Sequence, residues 1–349
     1  MMVQHTAPFR LPKLSLRSCM LASCVAIAGL GFAFDAQATP LSFTTIDPPN
    51  SLNTTIVGIN DKGEIAGYYV DDAGSQGFIR ATDGTITSFD PSGIGQTTAY
   101  SMSSKGAIAG TYLYAQTSYE GFVRAPGGKI ETYVYPGTST ANATGVNSSG
   151  VVIGTYVGGD YHGHGYVAAK GPNGTYVSFD PSGSIATGPT CINDAGMIAG
   201  TWEDASQVVH GFVMAADGTI TEWDPPGSTA TQVYSLNETG AITGSYAADG
   251  ETPAYIRAPD GTFTTFVVKG TAGTSAVSIN SKGDVTGGYA KGSNNHGYLR
   301  TANGKIDSTK VDFPGASDTS PTGINTRDAI VGAYDGTGDG LVHGFLRTK

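Results

Sequence analysis

Four histidines of this chain occupy one repeated position, directly before a Gly-aromatic pair. They are His164, His210, His296 and His343, and the same position elsewhere holds Gln76, Glu120 and Pro253. Histidine titrates near neutral pH and ligates metals, so such a set could transfer protons or bind an ion. Recurrence through the chain is also typical of scaffold residues in repeat proteins. We therefore favour a structural role, in which each His bonds the backbone of the neighbouring loop.

Two loops break the repeat and are candidate ligand sites. Residues 160–164 could hold a metal through His162 and His164, and residues 335–340 place Asp335 and Asp339 at an oxygen-rich spacing similar to calcium loops. Neither loop meets a recognised ligand pattern, and a flexible polar loop explains both.

A single specific pocket needs residues that differ between repeats. Around the second and third repeats, Glu120, Asp160, Tyr161, His162 and His164 combine a carboxylate pair, a phenol and two imidazoles that the other repeats lack. We predict that a single ligand site, where one exists, lies there, provided these side chains converge on one cavity.

Motifs that indicate a cofactor are absent from the sequence. It contains no nucleotide-binding loop, zinc-binding helix, nucleophile elbow or paired-Cys site, so no cofactor is predicted. An enzyme remains possible, because a site assembled from separate repeats leaves no local pattern.

The element that must position these residues is a repeat, first seen in Val57–Tyr69 as V-G-I-N-D-K-G-E-I-A-G-Y-Y. The position of its Asn recurs at steps of 43 to 46 residues and holds Asn in six repeats and Ser in one: Asn60, Ser103, Asn147, Asn193, Asn237, Asn280 and Asn325. Seven copies of a four-strand unit predict an all-β, seven-bladed β-propeller that forms one domain over residues 39–349.

Each unit carries further signals. The Asn and the following Gly predict a hairpin turn. A Gly in the second strand, such as Gly67, lies two residues before an aromatic and is predicted to leave space for a large side chain of the third strand or the next blade. Asp residues near a Pro end the fourth strands and read as turn residues: Asp47, Asp90, Asp180, Asp224 and Asp312.

The two ends of the repeat region complement each other. The last unit lacks a fourth strand, and Phe43–Pro49 has the pattern of one. We predict that this N-terminal strand completes the last blade and closes the ring, which removes exposed sheet edges.

Residues 1–38 are typical of a secretory signal peptide. Arg10, Lys13 and Arg17 precede an apolar run, and Ala36-Gln37-Ala38 follows it, so we expect a secreted or periplasmic protein cleaved near Ala38. Lipidation at Cys24 is the alternative. The apolar run is short for a membrane span, and no later stretch predicts one.

Net charge and cysteine content exclude one class of partner and one kind of crosslink. Cleavage would remove three basic residues and one acidic residue, which changes the net charge from −10 to −12 and disfavours nucleic acid. Cys191 would be the only Cys left, so no intramolecular disulfide can form, and we interpret it as a packing residue of a monomer.

The motifs G-I-N-x-x-G, I-x-G-x-Y and H-G-F together resemble the HAF-repeat family of bacterial extracellular repeats, with Gly where that signature has Ala. The resemblance covers nearly all of residues 43–349 and implies an exported propeller-like protein, without implying an activity.

These observations favour an exported binding or scaffold protein whose long-loop face engages carbohydrate or protein. The alternative is a periplasmic or secreted glycoside hydrolase or polysaccharide lyase with a His, Tyr and carboxylate site on that face.

Overall fold

The computed structural model describes residues 40–349, apart from positions 116, 170, 272 and 337. The predicted signal peptide, residues 1–38, lies outside the described residues. Within the described part all regular elements are β-strands, β1 to β28, and none of it is a helix with the length and hydropathy of a membrane span.

Five sheets contain four strands each. Four of them consist of β2 to β5 (Asn53–Ile59, Ile65–Asp71, Gly74–Arg80, Ile86–Phe89), β6 to β9 (Thr97–Met102, Ile108–Tyr114, Ser118–Arg124, Ile130–Tyr133), β18 to β21 (Ala230–Leu236, Ile242–Ala247, Ala254–Arg257, Phe263–Phe266) and β22 to β25 (Thr274–Ile279, Val285–Lys291, Asn294–Arg300, Ile306–Asp307). The fifth consists of β26 to β28 (Asp318–Ile324, Ile330–Asp335, His343–Thr348) and β1 (Ser42–Ile46).

The remaining eight strands form one sheet. They are β10 to β13 (Ala141–Val146, Val152–Val157, Gly163–Ala169, Thr175–Phe179) and β14 to β17 (Ala186–Ile192, Ile198–Glu203, Val209–Met214, Ile220–Trp223). Each half is an antiparallel four-stranded unit, and a single parallel pair, Gly163 opposite Ala186, joins the halves. The prediction of seven separate blades is therefore confirmed for five of them and corrected for two, because the beginning of β12 reaches the first strand of the next unit.

The innermost strand of each four-stranded unit contacts the innermost strand of the next, and β26 returns to contact β2. β1 pairs antiparallel with β28, with Ser42 opposite Thr348 and Ile46 opposite Gly344. The N-terminal strand therefore completes the last sheet, as predicted, and the all-β fold is a closed β-propeller.

The second-strand glycines leave space for an aromatic side chain of the same sheet. A Cβ at Gly67 would lie 2.2 Å from the backbone oxygen of Thr55 and 2.7 Å from the ring of Phe78. In every unit the Gly pairs directly with a third-strand aromatic that is fully buried: Phe78, Phe122, Tyr166, Phe212, Tyr255, Tyr298 and Phe345. The sequence left two sources open, and the third strand of the same blade is the correct one.

The Asn turns do more than the sequence predicts. The Asn60 Oδ1 accepts bonds from the backbone amides of Lys62 and Glu64, at 3.1 and 3.0 Å, which confirms the turn. In addition, the side-chain amide of Asn147 donates to the backbone oxygen of Asn193 in the next unit, at 3.2 Å. The same bond, at 2.9 to 3.2 Å, is made from Asn193, Asn237, Asn280 and Asn325 to the next unit, the last reaching Asn60. We call these five bonds the Asn belt.

Candidate functional site

Two faces of the propeller carry the candidates. The hairpin face bears the turns that begin at Asn60 and its counterparts. The long-loop face bears the connections between second and third strands, such as residues 158–162, and the ends of the fourth strands. The four paired histidines lie at the beginning of third strands, which places them at the long-loop face.

Each of these histidines bonds an Asp that follows the fourth strand of its own unit. Asp180, Asp224 and Asp47 come directly after their strands, whereas Asp312, predicted at a strand end, lies beyond β25, which ends at Asp307. Because an ionised carboxylate can only accept, the His Nδ1 is the donor. The Nδ1 to Oδ2 distances are 2.8 Å for His164 and Asp180, 2.7 Å for His210 and Asp224, 2.8 Å for His296 and Asp312, and 2.7 Å for His343 and Asp47. Nδ1 of each imidazole is therefore occupied by a hydrogen bond to an Asp of its own unit.

An aromatic ring of the second strand stacks on each imidazole. The ring centroids of Tyr156 and His164 are 5.1 Å apart, and those of Trp202 and His210 are 4.6 Å apart. Tyr289 and Tyr334 stack on His296 and His343 at 5.4 and 5.1 Å. Ring, imidazole and carboxylate therefore form one repeated set across three strands of a blade.

The second oxygen of the Asp often bonds the next blade. Asp180 Oδ1 accepts a bond from the Thr187 hydroxyl at 2.5 Å, and Asp224 Oδ1 accepts one from Thr231 at 2.5 Å. Asp90 Oδ1 accepts the Thr97 hydroxyl at 2.7 Å, although no His faces it. Asp90, Asp180 and Asp224 thus act as clasps between blades, whereas Oδ1 of Asp47 and of Asp312 accepts an amide of its own sheet, from Gly344 and Gly297. Both arrangements agree with the structural role favoured from the sequence.

Against the effect of burial, neighbouring carboxylates raise the pKa of three of these histidines. Burial opposes protonation of His164, but Asp180 and Asp160 outweigh it and raise the pKa of this His. The pKa of His210 is raised in the same way, against burial, by Asp224 and Asp204. For His343 the carboxylates are Asp47 and Asp339, and the pKa is again raised against the effect of burial. These three side chains favour the imidazolium form more than a free His does.

The predicted single site is only partly assembled. Asp160 Oδ1 lies 3.1 Å from His164 Nε2, and Asp160 Oδ2 lies 3.7 Å from His162 Nδ1. Tyr161 has a backbone φ of 66° and a side chain that is 90% exposed. Glu120 lies in the preceding sheet, where it accepts a 2.8 Å bond from the Tyr112 hydroxyl. The described contacts therefore join Asp160, His162 and His164 and do not extend to Glu120.

The metal candidates are used in other contacts. Asp339 Oδ2 lies 3.0 Å from His343 Nε2, and Asp335 Oδ1 accepts a bond from the Ser317 hydroxyl at 3.2 Å. Across the described residues no group of three or more His, Cys, Asp or Glu side chains could hold a metal ion. Burial raises the pKa of the Cys191 thiol to about 12, which fits a packing role better than a reactive one.

A cavity of about 320 Å³ lies on the propeller axis and is lined by all seven innermost strands. Each of these strands has a β-bulge three residues before its Asn position, which interrupts the pairing with the second strand. The unpaired residues are Val57, Tyr100, Thr144, Thr190, Tyr234, Val277 and Thr322. Tyr100 and Tyr234 stand out in this series of Val and Thr residues, and they were the sequence signal for a distinct site at this level.

No family model and no curated protein matches this chain. Solved structures do resemble it. One is a catalytically inactive virginiamycin B lyase from Staphylococcus aureus with quinupristin, at 16% identity and a TM-score of 0.61, covering 88% of this chain and 99% of the lyase. Another is the β-propeller domain of the Trilobed protease from Pyrococcus furiosus, at 9% identity and a TM-score of 0.58, covering 82% of this chain and 91% of that domain. At these identities the likeness shows the propeller fold alone.

Proposed function

We propose that this protein is an exported binding or scaffold propeller whose long-loop face engages a carbohydrate or protein ligand. The observation that carries the proposal concerns the four paired histidines. In each of them Nδ1 is bonded within its own blade and the ring is stacked on an aromatic side chain. Equivalent clasps in separate blades build a rigid rim, on which variable loops such as residues 158–162 present exposed side chains.

We further propose that the two halves of the eight-stranded sheet act as separate blades, so that the ring has seven. Support comes from the cavity, which seven innermost strands line. Membership of the HAF-repeat family and export after cleavage near Ala38 are part of the same proposal, and they rest on the sequence motifs. Amino-terminal sequencing of the exported protein should begin at Thr39, and a start at a lipidated Cys24 would contradict cleavage there.

Glycan arrays and pull-downs with the mature protein test the binding function. We expect one ligand class to be retained by the wild type and weakened by Tyr161→Ala or His162→Ala, because both residues are exposed and neither bonds a fourth-strand Asp. Retention of no ligand from either class would contradict the proposal.

An enzyme is the second candidate, and His296 favours it. Its Nδ1 is held by Asp312, while its Nε2 has no hydrogen-bond partner among the described residues. A His oriented by a carboxylate with one free nitrogen can act as a general base. His296→Ala should abolish glycoside hydrolysis or lyase turnover at unchanged Tm if this candidate is correct. If His296→Ala lowers Tm and the wild-type protein shows no turnover, the enzyme candidate is rejected and the binding function is retained.

A further inference from the structure

The axial cavity lies at the hairpin face, opposite the face of the proposed function. Its lining extends along the innermost strands from the bulge residues, such as Val57 and Tyr234, to the hairpin turns, such as Asp61 and Glu238. The two levels are four residue steps apart along the chain, which corresponds to a depth of roughly 13 Å. The cavity volume, about 320 Å³, is at the lower end of the range for small-molecule sites.

Two tyrosines mark the inner end of this cavity. Tyr100 and Tyr234 are bulge residues three units apart in the ring, and their side chains remain 44% and 36% exposed. The Tyr234 hydroxyl lies 3.1 Å from Ser245 Oγ, which fixes that ring. Aromatic faces at a cavity end attract apolar groups and cations.

A hydroxyl beside Tyr100 lacks a partner. Ser235 and Ser278, at equivalent positions, accept bonds from the backbone amides of Ile279 and Ile324 at 3.4 and 3.3 Å. The Ser101 oxygen is buried without any hydrogen-bond partner among the described residues. A residue of the cavity wall therefore has an unpaired hydroxyl, although the oxygen itself is buried.

The charged side chains that line the cavity are all acidic. Asp61 and Glu238 lie at the hairpin turns, and no Lys, Arg or His is among the lining residues. Burial and the nearby charge of Asp194 raise the pKa of Glu238. Between rim and tyrosines the walls carry apolar side chains such as Ile59 and Leu236.

We propose that the axial cavity is a second ligand site, which binds a small organic cation with an apolar body, such as a linear diamine. One ammonium group lies at the rim, where the Asp61 and Glu238 carboxylates attract it. The carbon chain follows the apolar wall, and the other end meets the tyrosines. A carboxylate ligand is disfavoured because it would face two like charges without a basic partner.

Isothermal titration with a matched series of probes tests the charge preference. Cadaverine, 1,5-pentanediol and glutarate share a five-carbon chain and carry positive, neutral and negative ends. We expect one cadaverine per chain, weaker binding of the diol and none of glutarate. Equal binding of diol and cadaverine, stronger binding of glutarate, or binding of none would overturn the inference.

Variants locate the site. Asp61→Asn and Glu238→Gln keep an acceptor oxygen for the amides of Thr326 and Asp194 and remove the charge. Each should weaken cadaverine about tenfold, which equals roughly 1.4 kcal/mol. Asp160→Asn removes the same charge on the long-loop face and should leave the affinity unchanged. An equal loss in Asp160→Asn would show general surface attraction and reject the site.

The tyrosines supply an independent check. Tyr100→Ala should weaken cadaverine severalfold and Tyr100→Phe should not, since the ring and not the hydroxyl makes the contact. Because Tyr100 is partly exposed, both variants should keep the wild-type Tm. Unchanged affinity in Tyr100→Ala and Tyr234→Ala would exclude the cavity. None of these results bears on ligand binding at the long-loop face, which the arrays measure separately.

Discussion

A His between two carboxylates gains a proton more readily than a free one, and this chain repeats that arrangement. His164 lies between Asp180 and Asp160, and His210 lies between Asp224 and Asp204, with the second contact at 3.6 Å. In the imidazolium form both ring nitrogens donate to negative charge. The clasps should therefore hold best when these histidines are protonated.

The pH dependence of stability follows from the raised pKa values. A folded-state pKa above the ordinary 6.5 gives a stability contribution that is complete below pH 6.5 and is lost as the pH rises through the folded value. We expect Tm to fall between pH 6 and pH 8.5, by roughly 2 to 4 °C for each kcal/mol lost. Differential scanning calorimetry across this range measures the fall.

Variants of these histidines test whether the clasps, and not other titrating groups, cause the pH dependence of Tm. Combined His164→Gln, His210→Gln and His343→Gln should lower Tm at pH 6 and flatten its dependence on pH. His162→Gln is the control, because that side chain is 47% exposed and bonds no fourth-strand Asp. A pH slope that persists in the triple variant would assign the dependence to other groups.

Two adjacent glycines of β23 allow a test of why the second strands need a Gly at the position that pairs with the third-strand aromatic. A Cβ at Gly287 would lie 1.8 Å from the backbone oxygen of Ser275, whereas at Gly288 the nearest atom, the oxygen of His296, would be 3.8 Å away. Gly287→Ala should cost about 3 kcal/mol or prevent folding, because backbone cannot yield as a side chain can. Gly288→Ala should be near neutral. Equal Tm values for the two variants would refute this explanation.

At the scale of elements, the sequence predicts those features of the strands and turns that a local residue pattern determines. Alternation, the Asn turn and the Gly gap are encoded within a few residues, so the strands and their order follow from them. The bulges at Tyr100 and Tyr234 were not predicted, because a bulge is a mismatch between two strands and neither strand shows it alone. The Asn belt was missed for a similar reason, since four of its bonds join residues 43 to 46 positions apart and the fifth joins residues 265 positions apart.

The candidate site was harder to predict than the strands. The sequence places His164 and Asp160 in one loop, and the structure brings them together. It also groups Glu120 with them, because adjacent repeats hold unusual residues at one position. The equivalent positions in these two neighbouring blades lie in separate sheets, and Glu120 bonds Tyr112 of its own blade instead.

The Asn belt is interrupted at the second blade, and this gap can be filled. Ser103 has no side-chain amide to reach the backbone oxygen of Asn147, and the Asn60 amide donates to Glu64 at 2.7 Å. Ser103→Asn should add a sixth bond and stabilise the fold by about 1 kcal/mol. Asn237→Ser, which removes an existing bond, should destabilise it by a similar amount. Urea unfolding measures both, and opposite signs are required.

At the scale of the whole molecule, stability depends on joining the two chain ends. Ile46 of β1 is 1% exposed and packs into the cluster that includes Ile56 and Phe78 of the first sheet. Asp47 then bonds His343 and accepts a bond from the Gly344 amide at 3.2 Å. The short N-terminal strand thus ties the last sheet to the first, and its loss would expose an edge on β28.

Deletion and relocation of this strand test the closure. Removing residues 42–49 should lower the unfolding free energy by at least 2 to 5 kcal/mol, the usual cost of losing one buried Ile side chain. Ser42 lies opposite Thr348, so an Asn-Gly turn can join them in a permutant that begins at Asn50 and ends at Pro49. This permutant contains the same strand as a covalent hairpin and should recover the wild-type Tm and a single cooperative transition. If the deletion variant unfolds like the wild type, or if the permutant is as unstable as the deletion, the pairing of β1 with β28 does not hold the ring closed.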